Sequence, residues 1–164
     1  METANRWFHV YTDGASKGNP GHAGLGIVIF NEEGEEIKRF KYYIGIATNN
    51  VAEYKAFICG LREALLLGAR FVKLYSDSEF MVMQINGIYK VRSENIKLLY
   101  CLAKRFLTRF EKYEVYHIPR GQNQLADLLA KSAIKERHSE VGQMAADIFQ
   151  IPEESPSSTG QGAG

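Results

Sequence analysis

Nowhere in the 164 residues does an apolar run approach the roughly 20 positions that a helix needs to cross a bilayer. The first residues also lack the basic-then-apolar order of a secretory signal. The two absences argue against a membrane partner and leave a soluble, cytoplasmic protein as the expectation. Cysteine is scarce: Cys59 and Cys101 are the only two, both inside helical patterns and neither spaced with other metal-type ligands. That excludes a disulfide framework and a cysteine-rich metal centre, and both thiols read as reduced core residues. An excess of one charge is missing too, since the formal net is +1. The balance is uneven along the chain, however. Residues 136–164 hold five acids and one base, so residues 1–135 carry 19 bases against 14 acids. A body at +5 with an appendage at −4 suits a domain that binds a polyanion, and equally an ordinary solvated surface.

What is present is enough for one compact domain: 45% of the residues are apolar and 24% charged. Residues 6–12, 22–30 and 36–44 read as strands, the last two joined by a hairpin turn at Asn31-Glu32-Glu33-Gly34 and therefore antiparallel. A helix over 50–67 carries Tyr54, Phe57, Ile58, Leu61 and Leu65 on one stripe and is closed by Gly68. A strand at 71–76, helices near 78–86 and 93–113, a strand at 114–119 and a helix at 123–135 follow. This order predicts an α/β fold with a mixed five-stranded sheet, three antiparallel strands leading into a parallel part joined by right-handed crossovers, flanked by helices. Residues 139–149 place Val141, Met144, Ala145 and Ile148 at helical spacing, an amphipathic segment expected to dock on the domain or on a partner. Residues 152–164 have the composition of a disordered tail.

Four acids fall just beyond an apolar strand or near the start of a helix: Asp13, Glu53, Asp77 and Asp127. Each has an ordinary role open to it. Asp13 precedes Gly14 in a turn-like position, and Glu53 is three residues past Asn50, where it would complete a capping box. Asp77 and Asp127 would complement helix dipoles. The joint pattern points elsewhere, because strand ends of an α/β sheet converge on one crevice. Carboxylates gathered there call for divalent cations, and hard oxygen ligands without Cys or His select magnesium or manganese, two ions about 4 Å apart. Spacing alone leaves both readings standing.

The sequence around the acids separates them. Tyr-Thr-Asp-Gly-Ala-Ser-Lys-Gly-Asn-Pro-Gly at 11–21, Thr-Asn-Asn-Val-Ala-Glu at 48–53, Tyr-Ser-Asp-Ser at 75–78 and Asn-Gln-Leu-Ala-Asp-Leu-Leu-Ala at 123–130 resemble, in order, the motifs of type 1 ribonuclease H. The resemblance covers roughly residues 6–136 and implies a catalytic domain at 1–137, an amphipathic segment at 138–151 and a tail at 152–164. It implies an endoribonuclease that cuts the RNA strand of an RNA/DNA hybrid with two magnesium or manganese ions, leaving 5′-phosphate and 3′-hydroxyl ends. Asp13 would bridge both ions, Asp127 would hold the one that activates water, and Glu53 with Asp77 the one beside the leaving oxygen. The glycine-rich loop from Gly14 to Gly24 would let backbone approach the nucleic acid closely, Ser16, Asn19, Asn50 and Glu79 would line the hybrid's minor groove, where the 2′-hydroxyl marks RNA, and Asn49 would join the same substrate-binding set. Thr48 would meet a DNA-strand phosphate. A monomer is expected, with duplex RNA left open as a second substrate.

Two departures from the better-known bacterial members matter. Those carry a histidine in the loop before the last aspartate, whereas residues 119–126 here are Pro-Arg-Gly-Gln-Asn-Gln-Leu-Ala. Arg120 is the cation in that loop, suited to a phosphate and equally to solvent. Many members also insert a basic helix between the two middle helices, which this chain omits at 88–92. Weaker, more salt-sensitive binding is the expectation, with Lys97, Lys104, Arg105, Arg109 and Lys112 as partial substitutes.

Overall fold

The computed structural model describes residues 6–137, so the amphipathic segment and tail read from the sequence lie outside the described residues. Five strands form one sheet in the order β3-β2-β1-β4-β5: β1 (Trp7–Gly18), β2 (Gly21–Phe30), β3 (Glu36–Ala47), β4 (Phe71–Ser76) and β5 (Lys112–His117). The β1–β2 and β2–β3 pairs are antiparallel, and β1–β4 and β4–β5 are parallel, as the element order predicts. The helices are α1 (Asn49–Leu66), α2 (Glu79–Ile85), α3 (Glu94–Leu107) and α4 (Gln124–Glu136).

The core lies between the sheet and α1, whose Tyr54, Phe57, Ile58 and Leu61 are fully buried, each contributing about 1.5–3 kcal/mol. Helix α3 packs against α1 on this face, and α4 lies on the other face over β2, β1 and β3. Glycine permits both approaches. A Cβ on Gly14 would stand 2.2 Å from the carbonyl of Ala52 in α1, and one on Gly26 would stand 2.0 Å from the Ala126 carbonyl in α4. Asp13 pairs with Gly26 across β1 and β2, so α1 closes on β1 at Gly14 and α4 closes on β2 opposite the preceding residue, Asp13.

Several expectations are corrected. Strand β1 does not end at Thr12 but runs through Asp13 to Gly18, because residues 13–18 keep pairing with β2 around a tight turn at Asn19-Pro20. The expected glycine-rich loop is therefore hairpin, with a cis bond before Pro20. Helix α3 stops at Leu107 rather than 113: Phe110 turns into the core, and the amides of Glu111 and Lys112 both donate to the Arg70 carbonyl, opening β5. Cys59 is buried as expected, but Cys101 is exposed on the outer side of α3. The capping box is also absent. Thr48, not Asn50, caps α1 by accepting from the Val51 amide at 3.2 Å, and Glu53 bonds elsewhere.

Candidate metal centre and nucleic-acid groove

Asp13 is held inside a strand with 4% of its surface exposed, an expensive place for a carboxylate. Glu53 reaches it from α1, oriented by the Gly14 amide, which donates to its Oε1 at 3.0 Å. Asp77 arrives from the turn between β4 and α2, where the Ser76 hydroxyl accepts from the Ser78 amide at 3.0 Å and Ser78 caps α2. One carboxylate oxygen from each of the three lies within 4.8 Å of the others. Asp127, in the first turn of α4, lies near enough to raise the Asp13 carboxyl and pairs with Lys131 at 3.0 Å. Helix α4 is pinned at this end by Asn123, whose amide donates to the Thr12 carbonyl at 2.9 Å.

This crowding reshapes the titration of the cluster. Burial, reinforced by the charges of Glu53, Asp77 and Asp127, pushes the Asp13 carboxyl up to about 10. Burial likewise pushes Glu53 up to about 8, opposed by the Gly14 hydrogen bond and by the positive charge of Arg120. Asp77 Oδ2 is buried and has no hydrogen-bond partner. Such a group costs about 1–3 kcal/mol or more unless something compensates it. A hard divalent cation among these oxygens would answer both the repulsion and the orphaned atom, so the donor set fits magnesium or manganese.

The remaining predicted residues lie on the β1–β2 hairpin, at the starts of α1 and α2, and in the loop before α4. Asn19 Oδ1 accepts from the Asn49 amide at 2.9 Å, tying the hairpin turn to the start of α1. The single hydroxyl proton of Ser16 is shared between the Ala47 carbonyl, at 2.8 Å, and the carbonyl of Gly18. Thr48 is occupied as the α1 cap, and the Gly14 amide is occupied by Glu53. Asn49, Asn50, Glu79 and Arg120 are exposed. Sequence reasoning missed a groove of about 580 Å³ that begins at Asn50 and is lined by Phe80, Ile88, Tyr89, Lys90 and Arg92. Phe80 and Tyr89 are 47% and 44% exposed with ring centroids 6.0 Å apart. An exposed aromatic pair beside two cations is the available signal, and it lies in the stretch read only as an omission.

The fold and the carboxylate cluster together define a ribonuclease H-like domain. Residues 11–133 match the family model described as reverse transcriptase-like, and the chain belongs to that family. A ribonuclease HI of Halobacterium salinarum is 36% identical over 126 residues, covering 77% of this chain and 63% of that protein. A bifunctional protein of Mycobacterium tuberculosis is 36% identical over 152 residues, covering 92% of this chain and 42% of its own length. The chain thus spans less than two thirds of these curated relatives. Among solved structures, RNase H1 of H. salinarum superposes with a TM-score of 0.78 at 35% identity, covering 79% of this chain and 98% of that one. LC11-RNase H1 in complex with an RNA/DNA hybrid gives 0.76 at 36% identity, with 79% and 98% coverage.

Proposed function

We propose that this chain is a metal-dependent endoribonuclease that hydrolyses the RNA strand of RNA/DNA hybrids, leaving 5′-phosphate and 3′-hydroxyl ends. The observation that carries the reading is the convergence of Asp13, Glu53 and Asp77 within 4.8 Å, with a buried oxygen of Asp77 unpartnered. Asp13, Glu53, Asp77 and Asp127 would hold two magnesium or manganese ions, which when bound would supply a lowered pKa for the attacking water and positive charge against the phosphate.

The protein's own residues supply position. The Gly14 amide fixes the rotamer of Glu53, and Asn123 fixes the register of α4 and hence of Asp127. Arg120 puts a positive charge near Glu53 from the loop, suited to a non-bridging phosphate oxygen. Ser16, Asn19, Asn49 and Asn50 meet the minor groove, and Thr48 a DNA-strand phosphate. Phe80, Tyr89, Lys90 and Arg92 extend the contact to one side, the rings against sugars and bases and the cations against phosphates. The hybrid-bound LC11 relative supports this choice of substrate.

Strand-resolved cleavage tests the proposal directly. Hybrid, duplex RNA and duplex DNA, each labelled on one strand, are incubated with magnesium or manganese. Cuts confined to the RNA strand of the hybrid, with 5′-phosphate products, are expected. An intact hybrid under both metals removes the proposal.

A further inference from the structure

Helix α2 buries one side-chain amide where its neighbours are apolar. Met81, Val82 and Ile85 belong to the core, and Gln84 among them is 2% exposed. Leucine or methionine would suit the same place by burial alone, since a buried polar group adds little net stability even when it is paired. Both ends of this amide are occupied. Its Oε1 accepts from the Tyr54 hydroxyl at 2.6 Å, and its Nε2 donates to the Lys90 carbonyl at 3.3 Å. The orientation is fixed, because a backbone carbonyl only accepts and so must meet the nitrogen. Tyr54 must then be the donor. Burial, with Tyr100 nearby, pushes its phenol well above the ordinary value, so the proton stays in place.

The link joins two parts of the molecule that the hybrid would meet. Tyr54 follows Glu53 in α1, and Lys90 lies in the segment between α2 and α3 that lines the groove. The near half of that segment is folded back on α2: the amides of Ile88 and Tyr89 both donate to the Met83 carbonyl, at 2.8 and 3.1 Å, and that of Gly87 donates to the Gln84 carbonyl at 3.0 Å. The far end is fixed by Ser93, which caps α3. Between these anchors Val91 packs on the core, but apolar packing has no direction. The Gln84 bond supplies one, since it sets which way the Lys90 peptide is turned.

We propose that Gln84 is a positioning residue for hybrid binding: anchored on Tyr54, it fixes the turn of the Lys90 peptide and so aims Tyr89, Lys90 and Arg92 at the substrate. It acts through the segment it holds and not on the phosphate being cut. A core amide in this place gives up packing choice for a single loop conformation, the use to which fully paired buried polar groups are suited. The inference rests on the nuclease reading and on the groove as part of its binding surface.

Variants of the full chain, each followed by urea unfolding, by cleavage in magnesium and by hybrid binding in calcium, test it. Gln84→Met keeps the length of the side chain and removes the amide, so KM for the hybrid rises about fivefold, the size of one net hydrogen bond, with kcat within about twofold of wild type. It also strands the Tyr54 hydroxyl in the core, and the urea midpoint falls. Tyr54→Phe/Gln84→Met removes both partners: the midpoint returns toward wild type while KM stays raised. With Tyr89, Lys90 and Arg92 all replaced by alanine, Gln84→Met changes KM by less than about twofold, because nothing is left to aim. A KM that recovers together with stability in Tyr54→Phe/Gln84→Met overturns the proposal, since a merely structural amide would behave so. An unchanged KM in Gln84→Met overturns it too, as does a full effect in the triple-alanine background. Wild type that binds hybrid without cutting it removes the nuclease reading alone, and the same variants are then judged by their affinities in calcium. Wild type that cuts hybrid while Gln84→Met matches it removes only the inference on Gln84.

Discussion

The backbone amide of Gly14 and the carboxylate of Glu53 meet at 3.0 Å, joining β1 to α1 one residue beyond the buried Asp13. The contact exists because residue 14 has no side chain: a Cβ would stand 2.2 Å from the Ala52 carbonyl and 2.4 Å from the Glu53 amide. Gly14→Ala therefore pushes the start of α1 off the strand and takes Glu53 with it. Overpacking of this kind costs about 1–3 kcal/mol. A lower urea midpoint and a larger proportional loss of hybrid cleavage are expected. Wild-type activity in the alanine variant would mean that Glu53 needs no such positioning.

Asp13→Asn separates chemistry from folding. The substitution keeps shape while removing the charge of the most enclosed acid in the cluster, so hybrid cleavage falls about a thousandfold or more. Metal-free stability moves the other way, because a buried carboxylate flanked by Glu53, Asp77 and Asp127 is repelled in the folded state. Thermal melting in chelator, run beside the cleavage assay, checks both. A variant that is inactive only because it is unfolded would refute the separation.

Much of this was legible in the sequence, for reasons particular residues show. Strand and helix periods pointed to five strands, three antiparallel and then a parallel part, and the motifs around Asp13, Glu53, Asp77 and Asp127 pointed to one cluster. What escaped was set by tertiary contacts. Glu53 looked like half of a capping box, but its partner comes from a strand 39 residues away. Asp13 looked like a turn residue because Asp-Gly is a turn signal, yet pairing with Gly26 carries the strand through it. Phe110 resembled the last turn of α3 until its burial and the Arg70 carbonyl redirected the chain. The groove at Phe80 and Tyr89 has no periodic signature, since its rings come from a helix start and a loop.

The titration of the cluster has a sign that can be measured. Asp13 is raised from 3.8 to about 10 and Glu53 from 4.5 to about 8 in the folded chain. Between the unfolded and folded values the native state binds more protons than the unfolded one, so stability falls as pH rises through that window. No such penalty applies below about pH 4, where both states are protonated. In chelator the melting temperature should decline from about pH 5 to about pH 9, and Asp13→Asn should flatten the decline. Millimolar magnesium should raise the melting temperature most at the alkaline end, where the carboxylates are ionised and the ions bind only the folded form. A shift equal at all pH values would argue that magnesium binds away from these acids.

Arg120 and the groove cations are expected to fail in different ways. Arg120 acts within range of Glu53, so Arg120→Ala should lower kcat while leaving KM for the hybrid nearly unchanged. Lys90 and Arg92 line the groove that starts at Asn50, which none of the four acids lines, and on the proposed reading they meet the hybrid through its phosphates. Replacing either with alanine should raise KM with little change in kcat. The slope of log affinity against log salt should also become shallower by about 0.7–0.9 for each cation removed. Tyr89→Ala should weaken binding by about 1–3 kcal/mol without altering that slope, because a stacked ring releases no counterions. Salt titrations of hybrid binding in calcium, a hard cation substituted for magnesium, give these slopes apart from turnover. Equal slopes for wild type and Lys90→Ala would remove the groove from the binding surface.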